Sequence, residues 1–326
     1  MLTRTEPPPL CRPDFTIGDY EFRGRTASLK QTGNSARIGY VLIAEVARWF
    51  LFYLIVIARM WWVRLALPRR ATIAFTPATP HPRYLVRSAA MWAGMRVARG
   101  NAHGDVAFFF EDATVCAPPA PPHACAFNFG CADISKSRVA AVFGEVFGYP
   151  LALDPAVWVG DAVEKSEANG AHDGRVVACP REAVPGMVYQ RVIDTVRGDG
   201  FAYDLRTHCV GGVPVVVWVK RRDPGARFAP PSLGVTRHAP EAVFGADELA
   251  LIAGFARAMR ADWCGLDVLR DTDGRIYVVD VNKTDAGPIN ALSLADKLAS
   301  TALLADALTS LIARSSPTWA DRTDAG

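Results

Sequence analysis

A mixed α/β fold is expected from three observations. From residue 72 onward, short apolar runs with strand character alternate with helix-compatible segments. A polar Asp-Gly turn joins two apolar runs at 264–283, and 326 residues that are 50% hydrophobic can bury the cores of two or three small α/β units. The 36 basic and 33 acidic residues are spread along the chain and leave a net charge of only +3, which argues against nucleic acid as a partner. Seven cysteines, without a CxxC pair or a zinc-like Cys/His spacing, fit a reducing compartment, so a cytoplasmic location is expected.

Residues 1–37 carry Pro7, Pro8, Pro9 and Pro13 among scattered charges and read as a disordered tail. Residues 38–70 form an apolar, helix-compatible segment centred on an unbroken run from Trp49 to Ala58, too short to span a bilayer alone. Glu45, Arg48 and Arg59 fall within about 60° on a helical wheel, and Trp49, Trp61, Trp62, Arg64, Arg69 and Arg70 supply interfacial anchors. The expectation is a helix that lies on the cytoplasmic membrane surface, against the alternatives of a buried or self-associating helix and a single tilted span. Residues 71–125 read as a small α/β domain with strands at 71–75 and 105–110 and a helix at 84–95, and the proline-rich stretch 117–122 follows as a connector.

The strongest chemical signal is the hairpin of 264–283. With Asp273-Gly274 as a two-residue turn, Asp267 faces Asp280 across the ladder. With a four-residue loop its partner is Val278, and alternation still leaves Asp280 on the same face, with Asn282 beside it. Two like charges so placed call for a cation, and two carboxylates with an amide carbonyl are hard oxygen donors suited to magnesium completed by phosphate and water. The alternative pairs Asp267 with a nearby basic residue and leaves Asp280 to cap a loop.

These residues resemble the ATP-grasp superfamily, whose last two core strands carry an acidic residue and then an Asp/Glu-x-Asn, as Asp267 and Asp280-Val-Asn282 do here. The likeness runs over about residues 72–310 and is nearest to ligases that join a carboxylate to an amine, the ribosomal-protein glutamate ligase type included. It implies an ATP-grasp domain over 126–314, a lid subdomain at about 150–200 and a short tail at 315–326.

It also implies ATP as cofactor, with Mg2+ or Mn2+ on Asp267, Asp280 and Asn282, and an unidentified carboxylate and amine as the substrate pair. Carried over position by position, Lys165 before a lid containing Gly170 and Gly174 would bind phosphates, as would Lys136 at the start of a capped helix. Gln190, Arg191 and Val192 would form the adenine hinge, and Arg206, in an Asp-x-Arg strand ahead of a Gly-Gly turn, would be the catalytic arginine. Arg221, Arg222 and Arg227 are further basic candidates, and 286–290 resembles a loop that shapes the acceptor pocket.

The chain departs from the family pattern at Ser166, where proline is usual, at Arg191, where an acidic residue is usual, and in a lid that carries His172 and Asp173. Either lysine could instead be a solvated surface residue, and Arg206 could pair with Asp204 or Asp194. Phosphoryl transfer to a hydroxyl and a catalytically degenerate, membrane-tethered nucleotide-binding module are the competing functions.

Overall fold

The computed structural model describes residues 20–24, 26–29, 35–37, 39–67, 70–98, 104–171, 173–226 and 232–315. The segment expected to be a disordered tail contains three short strands, β1 (Tyr20–Arg23), β2 (Thr26–Leu29) and β3 (Ser35–Arg37), paired as an antiparallel sheet. In β1 and β2 polar and apolar residues alternate, a period hidden by so short a run; the proline cluster lies outside the described residues.

α1 (Tyr40–Ala66) takes up nearly all of the apolar segment. One side buries Phe52 and Val56 with Met91, against Trp92, Leu294 and Leu298. The other side exposes Phe50, Leu51, Leu54, Trp61, Trp62 and Leu65. Among the described residues, no helix is long and apolar enough to cross a membrane. The seat of α1 is close: a Cβ on Gly94, which sits at φ +73°, would lie 2.6 Å from Cγ1 of Val63.

The next unit is a parallel sheet of order β5-β4-β6-β7, formed by β4 (Thr72–Pro77), β5 (Arg96–Val97), β6 (Val106–Phe110) and β7 (Ala126–Phe127), with α2 (Leu85–Trp92) between β4 and β5. Every residue of β6 is buried, as expected for a parallel strand covered on both faces. β7 follows the proline stretch, so the expected connector is an internal loop of this sheet. α3 (Lys136–Phe147) then starts at Ser135, whose hydroxyl accepts from the amide of Arg138 at 3.3 Å.

A three-stranded sheet of order β10-β8-β9, within the segment expected to form a lid, comprises β8 (Gly160–Ser166), β9 (Arg175–Cys179) and β10 (Met187–Arg191). The largest sheet is antiparallel throughout, of order β13-β12-β11-β14-β15, from β11 (Ala202–Val210), β12 (Val213–Arg222), β13 (Gly234–His238), β14 (Trp263–Arg270) and β15 (Ile276–Asn282). α4 (Ala246–Ala258) precedes β14, and α5 (Leu294–Ser315) closes the described chain. Leu205, Val217, Leu266, Val268 and Val281 direct one face of this sheet into a core with α3 and α4. Strand alternation therefore gives Arg206, Asp267 and Asp280 the opposite face.

Two seams join the sheets. Asn128, in the left-handed region at φ +63° that asparagine tolerates, bonds through its side chain to both main-chain groups of Trp263, at 2.8 and 2.9 Å. After β15 the chain runs back to α2: the amide of Leu85 donates to the carbonyl of Asp285 at 3.0 Å, and that of Gly287 to the carbonyl of Arg83 at 2.7 Å.

If α1 is integral to this fold, Phe52→Ala should cost about 3 kcal/mol of stability and Leu54→Ala less than about 0.5. Urea unfolding of the two variants checks this, and equal small effects would detach α1 from the core.

Candidate active site

A cross-strand row organises the charged face. Asp280 of β15 faces Asp267 of β14, Asp267 faces Arg206 of β11, and Arg206 faces Trp218 of β12. The turn is neither of the two expected from the sequence. Its loop covers 271–275, and a bulge between Asp267 and Val268, with Val279 as the extra residue, restores the Asp267–Asp280 pairing.

Arg206 is the best-held side chain of the row. Its Nη1 lies 2.9 Å from Asp267 Oδ1 and its Nη2 2.6 Å from Asp285 Oδ1, so each arm of the fork takes a different carboxylate. Burial by itself would weaken its hold on a proton, and the two carboxylates more than reverse that. The alternative partners raised by the sequence do not pair with it: Asp204 is bonded to Arg222, and Asp194 is exposed. Burial would likewise raise Asp267, yet Arg206 and then Lys220, 3.7 Å away, hold it ionised well below the usual carboxylate range.

Asp285 was not recognised as a site residue in the sequence. It is 3% exposed, and Arg206 overrides the effect of burial to bring its carboxyl to about 2. Its second oxygen lies 2.6 Å from Nδ1 of His208, which is itself 2% exposed and packed edge-on against Trp218. Burial outweighs Asp285 and holds this imidazole below its ordinary value. A Cβ on Gly265, the cross-strand partner of His208, would sit 2.2 Å from Asp285 Oδ2 and 2.8 Å from Arg206 Nε. Gly265 was legible in part, since it lies two positions from Asp267, already assigned to this face.

Two lysines reach the row from outside the sheet. Lys136, the first residue of α3 and 6% exposed, forms an ion pair with Asp280. Lys165, near the end of β8, donates to the carbonyl of Val279 at 3.2 Å. Burial brings its ammonium down to about 8, with Asp280 opposing the fall and Lys136 adding to it. Neither is a solvated surface lysine.

Asn282 is half-buried, and its Oδ1 accepts from the amide of Thr284 at 3.0 Å, an Asx turn that leads the chain toward Asp285. Thr284 in turn donates its hydroxyl to Asp112, which follows β6. Among the described residues no group of three or more His, Cys, Asp or Glu side chains could hold a metal ion. A cation here would therefore rest on two carboxylates and one amide oxygen, with the remainder supplied by its substrate and water. That donor set fits magnesium and lacks the enclosed cage calcium prefers.

Gly170 and Gly174 lie in the 167–174 loop between β8 and β9; His172 is outside the described residues, as is Arg227. The start of the loop is anchored to two other parts of the chain. Glu167 accepts from the amide of Ser137 in α3 at 3.0 Å, and the amide of Asn169 donates to Oγ1 of Thr114 at 2.9 Å.

The segment expected to form the adenine hinge has part of its main chain already in use. The amide of Arg191 is already donated to the carbonyl of Leu151 at 3.0 Å, because residues 151–153 run alongside β10. The Arg191 side chain lies over Trp158, and Val192 is half-buried just past the strand. Gln190 is 2% exposed, and its Nε2 has no hydrogen-bond partner among the described residues. Strand alternation and the register with β8 put Gln190 on the side of the β10-β8-β9 sheet that carries Lys165.

No protein-family model matches this sequence, and neither does any curated protein. Among solved structures the chain is similar to the ATP-grasp ligase PsnB. Against PsnB complexed with minimal precursor, Mg and ADP, identity is 13% and the TM-score 0.47, over 74% of this chain and 97% of that one. Against PsnB complexed with precursor peptide PsnA2 and AMPPNP the figures are 12% and 0.46, over 74% and 96%. Against PsnB with a phosphomimetic precursor variant, Mg and ADP they are 16% and 0.40, and there the match spans 62% of that chain.

Two tests follow from the Arg206 cluster. Gly265→Ala should cost about 3–5 kcal/mol in urea unfolding, as expected when a buried ion pair is pried apart. A loss under about 1 kcal/mol would mean the cluster accommodates a methyl group. The second test uses pH. With the folded-state value of His208 below the ordinary 6.5, the unfolded chain takes up a proton there that the folded chain refuses, so stability falls on acidification below pH 6.5. His208→Gln should flatten that part of the stability curve; curves that stay parallel would show that His208 is protonated in the fold.

Proposed function

We propose that this chain is an ATP-dependent, magnesium-requiring ligase of the ATP-grasp kind, which converts a carboxylate into an acyl phosphate and passes the acyl group to an amine. One observation carries the reading: Lys136 from a helix, Lys165 from the β10-β8-β9 sheet and Arg206 from the large sheet converge on the row containing Asp267 and Asp280. Three cations from three separate elements, gathered around two carboxylates and a half-buried amide, suit a polyphosphate and its metal better than they suit a structural ion pair. The order of these motifs along the chain supports the same reading.

In this reading Lys136 and Lys165 hold the phosphates, and the main chain around Gly170 and Gly174 covers them. The unpartnered amide of Gln190 meets the nucleobase together with the main chain at Val192, since the Arg191 amide is already in use. Magnesium on Asp267, Asp280 and Asn282 would offset phosphate charge and orient the terminal phosphate for in-line attack. The substrate carboxylate attacks that phosphorus, ADP leaves, and an amine then captures the acyl carbon with release of phosphate. Arg206, fixed by Asp285, stabilises the negative charge on the transferred group from a position it does not have to reorganise to reach.

Calorimetry of the full chain with ATP, with and without magnesium, tests this. Magnesium should strengthen ATP binding. Asp280→Ala with Asn282→Ala should abolish the magnesium-dependent part, at least about tenfold in affinity, with the circular dichroism spectrum retained. Asn282→Ala alone, which keeps the Lys136 ion pair, should show a smaller loss of the same sign. Unchanged magnesium dependence in the double variant would sink the metal assignment.

A further inference from the structure

A second concentration of charge lies in the N-terminal half. A cavity of about 410 Å³ opens between α1, α2 and the carboxyl ends of β4 and β5, lined among others by Met60, Arg64, Thr79, Arg87 and Met91. Its size is that of a small-molecule site. Its position beyond the carboxyl ends of parallel strands is where open α/β sheets commonly receive ligands.

The two lining arginines are held differently. Arg64 of α1 is fixed, with Nε donating to the carbonyl of Gly94 at 3.0 Å and Nη2 to that of Met95. Arg87 of α2 has Nε and Nη1 buried without a hydrogen-bond partner among the described residues. Arg96 acts electrostatically on Arg64, and elsewhere around α1 Arg59 acts on Arg70. Among the described residues none of the five is ion-paired with a carboxylate, although nearly every arginine of the large sheet's charged face is. Burial above all, and Arg64 beside it, weaken the hold of Arg87 on its proton.

A buried guanidinium with two idle donors and cationic neighbours is costly unless an acceptor fills the space it faces. We infer that this cavity is an anion-binding site that takes a phosphate group on a short apolar stem, the phosphate in the fork of Arg87 and the stem against Met60 and Met91. A phosphate monoester fits better than a carboxylate because it brings close to two negative charges to the two guanidiniums, Arg64 and Arg87, that line the cavity. Its source is either a soluble phosphomonoester or the headgroup of an anionic lipid approached along the exposed face of α1. The inference stands apart from the proposed ligase site and shares no residue with it.

The test uses the full chain. Calorimetry with hexyl phosphate and with hexanol should show binding of the phosphate only, weakened at least about tenfold in Arg87→Gln. Sedimentation with phosphatidylcholine vesicles, with and without phosphatidic acid, forms the second arm. Binding in the first arm identifies a soluble ligand, and Arg87-dependent binding confined to the second identifies a lipid headgroup; either supports the site. Met60→Trp, which fills the cavity without altering a charge, should weaken the same binding and covers the case in which Arg87→Gln fails to fold. Absence of phosphate binding in both arms, or undiminished binding by Met60→Trp or a folded Arg87→Gln, would overturn the inference.

Discussion

Arg206, buried between Asp267 and Asp285, is the constraint around which the C-terminal half is built. A guanidinium at 7% exposure must have both arms of its fork satisfied, because an unpaired buried charge costs several kcal/mol. One arm is met within the sheet by Asp267. The other is met by a residue three positions beyond the end of β15, so the chain must turn there, through Asn282 and Thr284, before it can continue to α5. The turn delivers the backbone of 285–287 to Arg83 and Leu85, and the parallel sheet is thereby fixed against the charged face. Gly265 is the local condition for all of this, since any side chain there would occupy the space of the Asp285 carboxylate.

Electrostatics on that face follow from the same arrangement. Like charges on Asp267 and Asp280 repel across the ladder, and from the sequence alone a metal ion is the natural remedy. The fold supplies its own remedy, with Arg206 and Lys220 on one carboxylate and Lys136 on the other. The pair of aspartates is therefore stable without a metal, and a metal's contribution there is to be sought in ligand binding and chemistry. Under the proposed function, a nucleotide and its cation would exchange partners with ion pairs that already exist. Affinity would then reflect the difference between two well-satisfied states.

How much of this was legible depended on the range of the interactions. Strand alternation sufficed for Asp267, Asp280 and Asn282 to share a face, and the capping serine of α3 marked the helix start at Lys136, because these are local patterns; Arg206 was indicated by the family resemblance alone. The turn of the β14–β15 hairpin was misjudged, yet the pairing of Asp267 survived because a bulge compensates for the loop length. Asp285 escaped notice because its role is set by contacts with Arg206 and His208, nearly eighty residues earlier, which no local period encodes. For the same reason nothing in the sequence showed that the Arg191 amide is already used, since only the fold brings Leu151 alongside it. In the apolar segment the hydrophobic residues showed a helix but not its surroundings. α1 in fact divides them between a buried side against α2 and α5 and an exposed side.

The balanced charge of the whole chain conceals a division between its halves. On the large sheet, strand register brings Asp267 to Arg206 and Lys220 and Asp204 to Arg222, and Arg237 finds Asp296 of α5. Around α1 and α2 the arginines come from helices and short strands whose neighbours are apolar, and repulsion among Arg59, Arg64, Arg70, Arg87 and Arg96 goes uncompensated among the described residues. A fold can carry such a cost only because apolar contacts, here those of Phe52, Val56 and Met91, outweigh it. Packing thus holds together what charge pushes apart, and any species that binds the folded form by neutralising those guanidiniums adds directly to stability. The stability of the seat of α1 should therefore depend on the anions around it.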